Sequence, residues 1–498
     1  MTEPSLRLFN SLTRAVEPFV PVHPGEARVY TCGPTVYNYQ HIGNMRAFVF
    51  ADTLGRTLAF KGYKLRHIIN ITDVGHLTSD ADEGDDKMEK AAARLGKTAW
   101  DIAAFYTAEF KRDLKWLNVR DPARWTVATD YVPQMIEVAK AIADKHCYEL
   151  PSGLYFDIST VADYGRLARA ATEEGEGRID EVEGKRHAAD FAIWRKTPPG
   201  ETRQMEWDSP WGRGAPGWHL ECSVMSRAEL GLPFDIHTGG IDHREIHHPN
   251  EIAQNQAMQG FDAEHGHLDC AQNSGARLWM HNNFLIDRAG KMSKSSGDFL
   301  RLQLLHDRGY HPLAFRLMCL QAHYRSELEF SWDNLAAALT RLKRMVMAVA
   351  QLEQRHAELG GAALPPRDAF GPKLAPLIER FDAAISDDLN TAVALTVFDE
   401  ALTLKKVDPA EKLAAIAAMD AVLGLDLLTL DRADLRLRPA AATIAEADIE
   451  AALEKRKAAR VDKDFATSDA IRDSLIASGV EVMDGDPLGW EWRLENGA

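Results

Sequence analysis

Two short segments carry residues suited to phosphate chemistry. In CGPTVYNYQHIGNMRAF (32–48), His41, Gly43 and Asn44 stand just before an apolar run with helical spacing. The amide groups and dipole at a helix start favour an anion. Gly43 permits a nucleotide to approach the backbone closely. His41 and Asn44 add neutral donors for charge that develops on a phosphate. GKMSKSSGD (290–298) sets Lys291 and Lys294 three apart in a Gly- and Ser-rich loop. Flexible ammonium groups there can close over a triphosphate and neutralise pyrophosphate as it leaves. Taken singly, the first segment reads equally as a capped helix with a surface histidine, and the second as a solvated basic turn.

A second set of residues has metal-binding chemistry. His247 and Glu251 in HHPNEIAQNQ are four apart, so a helix beginning near Pro249 presents both on one face. Cys222 lies in the helix-like PGWHLECSVMS, and Cys32 opens the first segment. Thiolates and imidazole suit zinc, and a carboxylate can complete a tetrahedron. On spacing alone, the same residues are also a small buried hydrophobe, a helix cap and a solvated first-turn acid.

The elements around these residues alternate. EARVYTCG is a β pattern, MRAFVFADTLGRTLAF a helical one, and YKLRHIINITD a strand again. Such units build a parallel sheet whose ligands sit beyond the carboxyl ends of the strands. TEEGEGRIDEVEGK (172–185) reads as an acidic surface loop inside an insertion, and α/β character resumes at GLPFDIHTGG. Past about residue 310 helices dominate, with LAAALTRLKRMVMAVAQLEQRHAEL as one long amphipathic pattern and linkers at 360–372 and 436–448. The expected fold is α/β: a Rossmann-like parallel-sheet catalytic domain with an insertion, then an α-helical bundle and a small C-terminal piece. The boundaries are set at 1–130 (first half), 131–235 (insertion), 236–310 (second half), 311–435 (bundle) and 436–498 (C-terminal piece).

The chain has 498 residues, 45% of them apolar, and a net charge of −16. No signal-peptide core and no apolar run long enough for a membrane span are found. Five scattered cysteines point to a reducing, cytoplasmic setting. In so acidic a chain, nucleic-acid contacts must be local. KRKAARVDK (455–463) gathers five cations against one acid, and RLKR (341–344) adds a second patch.

HIGN and KMSKS together resemble the HIGH and KMSKS signatures of class I aminoacyl-tRNA synthetases. Asn44 replaces the last histidine with an amide that still donates a hydrogen bond. CGPTVYNYQHIGN, NITDVGH, GWHLECSVMS, GGID, HHPNEIAQ and KMSKS in one order, with DEGDDK, ADFAIW, DLNTAVAL and DKDFATSDAIRD, resemble the cysteinyl-tRNA synthetase family over nearly the whole chain. The resemblance implies a ligase that activates L-cysteine with ATP and Mg²⁺ to cysteinyl-adenylate and passes it to the 3′ end of the cysteine tRNA. It implies zinc on Cys32, Cys222, His247 and Glu251; His247 is chosen over His248 because it lies four before Glu251. Zinc prefers a thiolate to a hydroxyl, which would separate cysteine from serine without an editing site. His41, Asn44, Lys291 and Lys294 are the implied catalytic residues, with Gly43 also at ATP. Thr72 and Trp218 are expected around the amino acid, and Asp242 opposite its ammonium. Helices beyond the catalytic domain would contact tRNA, with Trp490 and Trp492 as base stackers. A monomer is expected. Two rivals are a related ligase that charges an amino sugar and an inactive RNA- or nucleotide-binding relative. The C-terminal extension argues against the first, and the intact signatures against the second.

Overall fold

Strand Glu26–Thr31, helix Ile42–Phe60 and strand Lys64–Ile71 form the expected strand–loop–helix–strand unit. The two strands pair in parallel from Glu26 opposite Lys64 to Thr31 opposite Ile69. The computed structural model describes residues 5–74, 87–168, 183–260, 273–287 and 300–494. The unit seeds a five-stranded parallel sheet in the order Ala276–Asn282, Phe234–Gly240, Glu26–Thr31, Lys64–Ile71, Arg124–Val127. The last five residues of KLRHIINI are buried, as in strands covered on both faces. From Glu26–Thr31 the chain builds outward first to one side and later to the other. The point where that direction reverses lies between Glu26–Thr31 and Phe234–Gly240, and a crevice opens there at the carboxyl ends.

Helix Ile42–Phe60 is buried almost all round, including Met45, Phe48, Val49 and Leu54 and also the charged Arg46 and Asp52. A helix this enclosed needs its charges satisfied in place. The Asp52 carboxylate takes Arg56 Nε and Arg316 Nη2, each at 2.7 Å, and the Arg120 backbone N–H at 3.1 Å. Arg316 also donates to the carbonyls of Leu423 and Leu117, at 2.7 and 2.9 Å. This network joins the sheet to the helical bundle. Gly424 ends a bundle helix at φ 64°, where an added Cβ would lie 2.4 Å from Arg316 Nη2; only glycine fits both the backbone and the arginine.

The insertion is a four-stranded antiparallel sheet, Cys147–Leu150, Gly153–Phe156, Phe191–Lys196 and Gly214–Pro216, against helix Val132–His146. Most of the loop expected at 172–185 lies outside the described residues. The long amphipathic pattern is helix Trp332–Glu358, capped by the Ser331 side chain and burying Leu335, Leu339, Leu342, Val346 and Val349. It packs with helices Pro312–Leu320, Thr391–Thr403 and Pro409–Leu423.

Two expectations for the nucleic-acid side are corrected. Trp490 and Trp492 are 0% and 3% exposed, edge to face at 5.0 Å, and form a small core with Ile449, Leu475 and Val480. An apolar hairpin on two helices has no other core to close on, so its tryptophans turn inward. They are packing residues and not base stackers. Replacing Trp490 by alanine is expected to cost the C-terminal domain about 3–5 kcal/mol, read as lost hydrogen-exchange protection in helix Glu446–Val461; full protection would refute the packing role. In RLKR, Arg341 pairs with Asp399 and Lys343 with Glu491. Glu491 and Asp486 also hold Arg432, at 2.7 and 3.0 Å. Part of that patch therefore fastens the C-terminal domain to the bundle.

Candidate active site and metal centre

The crevice at the strand ends is a cleft of ≈ 420 Å³. Cys32 follows strand Glu26–Thr31, Thr72 follows Lys64–Ile71, and Asp242 follows Phe234–Gly240. All three line the cleft, together with His41, Gly43, Asn44, Trp218, Cys222 and His247. Glu251 is fully buried beneath this lining. Lys291 and Lys294 lie outside the described residues.

His41 is the N-cap of helix Ile42–Phe60, and its Nδ1 accepts from the Gly43 N–H at 3.0 Å. The cap fixes the imidazole at the positive end of the helix dipole. Gly33 is required for a close approach: an added Cβ would lie 1.5 Å from the Asn70 carbonyl oxygen. Asn70 in turn takes the Gly33 N–H at 2.7 Å and donates to Thr72 Oγ1 at 3.1 Å. This contact holds the two strand ends together under the cleft. Trp218 begins helix Trp218–Leu230, and its ring lies 4.4 Å from that of His247. Asp242 is exposed on the open side of the cleft.

Cys32, Cys222, His247 and Glu251 come together at the cleft floor, each offering a donor atom within 4.8 Å of the others. All four are buried. The helix that carries the last two runs from His247 to Met258, two residues earlier than expected from Pro249. Nε2 of His247 lies 3.0 Å from Glu251 Oε1. Burial alone would lower His247, but Cys222 and Glu251 outweigh it and raise it to about 10. A hydrogen bond from Cys32 draws Cys222 down to about 6 against its burial, while burial pushes Cys32 well up. This donor set attracts positive charge. Two thiols, an imidazole and a carboxylate in such proximity fit a four-coordinate zinc.

The surrounding histidines were not assigned from sequence. His219 Nδ1 lies 3.0 Å from His247 Nδ1, and His237 Nε2 lies 2.9 Å from Glu251 Oε2. Both orient donors from behind, as groups around a metal site usually do. Cys32, His237, His248 and Glu251 form an overlapping set, also within 4.8 Å. In it, His237 is engaged by Glu251, and His248 Nδ1 meets His281 Nε2 at 2.8 Å. Neither histidine lines the cleft. A sequence signal existed for one of them: His281 is the last residue but one of strand Ala276–Asn282, and the carboxyl ends of parallel strands are where the crevice must open.

Residues 18–340 match the family model described as the class I (C) tRNA synthetase catalytic domain. The chain is 74% identical to the cysteine–tRNA ligase of Novosphingobium aromaticivorans, over 98% of this chain and 97% of the relative. It is 54% identical to that of Zymomonas mobilis, over 99% of each. A solved methionyl-tRNA synthetase of Mycobacterium tuberculosis bound by methionyl-adenylate has a similar fold, with TM-score 0.52 at 13% identity over 81% of this chain and 92% of that one. A leucyl-tRNA synthetase complex from Agrobacterium radiobacter gives 0.53 at 11% identity, over 83% and 87%.

Proposed function

We propose a route for the reaction from one premise: the chain belongs to the class I cysteine–tRNA ligase family. It is therefore an enzyme that charges cysteine tRNA with L-cysteine, with ATP as co-substrate. In our reading a carboxylate oxygen of cysteine attacks the α-phosphorus of ATP. The bond from that phosphorus to the bridging oxygen breaks, and pyrophosphate leaves with Mg²⁺. A hydroxyl of the terminal ribose then attacks the acyl carbon, the bond from that carbon to the phosphate oxygen breaks, and AMP departs as the hydroxyl proton is released. No protein nucleophile is needed.

We assign His41 and Asn44 to the charge that develops on the phosphate, because preorganised donors act most strongly where charge appears in the transition state. Gly43 keeps the adjacent backbone open to ATP. Lys291 and Lys294 are proposed to neutralise pyrophosphate. Asp242 would hold the substrate ammonium, with Thr72 and Trp218 as walls of the amino-acid pocket. Cys32, Cys222, His247 and Glu251 would hold zinc. Bound there, zinc would supply a Lewis acid that prefers a thiol to a hydroxyl. The observation that carries this reading is the buried donor set at the floor of the same cleft that the His41 helix start enters.

On the tRNA side, Lys455, Lys457, Arg460 and Lys463 are exposed. Arg456 is buried against Asp484, bonded at 3.0 and 3.2 Å. Phe465, 62% exposed beside Lys463, replaces the two tryptophans as our proposed base-stacking residue. No helix among the described residues is long and apolar enough to cross a membrane, and we place the enzyme in the cytoplasm.

The test is charging of purified cysteine tRNA with labelled cysteine and ATP, with serine in parallel. Charging with cysteine and not with serine is the expected result. Equal charging with both would refute the thiol filter. Cysteine-dependent pyrophosphate exchange without charging would point to a small acceptor in place of tRNA.

A further inference from the structure

The cleft rim continues onto a surface that the route above does not use. Segment 87–116 carries seven lysines and arginines against four carboxylates in a chain of net charge −16. Its helix Ala99–Trp116 exposes large apolar side chains, with Phe105 at 42% and Trp100 at 47%. Phe105 meets Tyr39 at 6.1 Å between ring centroids, nearly perpendicular. Tyr39 lines the cleft. The Arg301 guanidinium stands over the Tyr39 ring at 4.4 Å, and Lys97 Nζ over the Phe105 ring at 5.5 Å. The result is a continuous line from cleft rim to solvent: cation, aromatic, aromatic, cation.

Each contact falls in the range of cation–π or edge-to-face ring pairs. Aromatic faces interleaved with cations are how proteins take single-stranded nucleic acid: bases stack on the rings, and the cations track the phosphates. We propose that Lys97, Phe105, Tyr39 and Arg301 receive the unpaired 3′-terminal nucleotides of the tRNA as they enter the cleft. This rests on the tRNA-charging reading. Two observations favour RNA over an apolar protein partner. The exposed Phe105 ring and the half-buried Tyr39 ring each have a cation over one face. The line is also continuous with the cleft in which the ester must form, so the acceptor end must cross this rim or another part of it.

The test uses the full chain, Phe105→Ala and Phe105→Trp. Its substrates are a cysteine tRNA transcript and the same transcript trimmed of its unpaired 3′ nucleotides. Wild-type charging of the intact transcript is the control for the reading on which this rests. Phe105→Ala is expected to lower kcat/KM for tRNA charging about tenfold, the usual scale for one stacked base, and to leave cysteine-dependent pyrophosphate exchange unchanged. Phe105→Trp should restore charging. Wild type and Phe105→Ala should bind the trimmed transcript equally. The proposal is overturned if charging is unchanged, or if exchange falls in parallel, which would assign the line to ATP. It is also overturned if the trimmed transcript still separates the two proteins, which would move the contact elsewhere on the tRNA.

Discussion

Cys222→Ser is expected to yield a folded protein that has lost its metal and has cysteine-dependent pyrophosphate exchange lowered at least about 100-fold, beyond the usual effect of disturbing groups around a metal site. The substitution changes one buried atom, so the helix Trp218–Leu230 and its packing should persist. It removes a donor that lines the cleft and lies 3.9 Å from Cys32 Sγ. A hydroxyl is a poor replacement for a thiolate at zinc. The checks are metal per chain by elemental analysis, exchange kinetics, and circular dichroism as the control for folding. Wild-type metal content in Cys222→Ser would exclude it as a ligand and return attention to the overlapping set with His237 and His248.

The second large effect is on stability. Asp52→Asn keeps the shape of the side chain and removes the charge that Arg56 and Arg316 share. Breaking a buried ion network by deleting one partner costs about 3–5 kcal/mol, because the remaining charges stay buried. The pH dependence has a definite sign. Burial pushes the Asp52 carboxyl up, but Arg316 and Arg56 outweigh it and hold it at about 2. A carboxyl depressed in the folded state stabilises it above its unfolded pKa, and the benefit disappears as pH falls through the folded value. The contribution, about 2 kcal/mol from the shift, should be complete above roughly pH 5 and lost progressively between about pH 4 and 2. Denaturant unfolding across that range would show the wild type approaching Asp52→Asn as pH drops. A difference between the two proteins that stays constant with pH would refute the electrostatic account.

The parallel unit around residues 26–71 was legible because strand and helix periods alternate cleanly there. The long helix at 332–358 was legible because its apolar positions recur every three or four residues. His247 and Glu251 could be paired because a helix converts a four-residue spacing into a shared face. Cys32 and Cys222 could be joined to them only through family resemblance, since sheet order, not spacing, brings them together. The tryptophans near the C-terminal end were misread for a physical reason. An exposed stacker and a core residue of a small hairpin have the same composition, and only the packing of helices 446–461 and 465–477 distinguishes them. Asp52 and Arg316, 264 positions apart, left no local signal at all.

The donor set also has a consequence for how the enzyme is made. Cys32 leaves the ribosome first, and Glu251 last, of the four proposed ligands. At the usual pace of synthesis, 5–20 residues per second, the interval is on the order of 10 to 40 seconds. For most of that interval Cys32 has none of the other three proposed ligands, because Cys222 follows it by 190 residues. Metal therefore cannot template the N-terminal half of the sheet. The nascent strands Glu26–Thr31 and Lys64–Ile71 must pair by their own apolar faces, and any metal held by this donor set would be loaded only after that part of the sheet has formed.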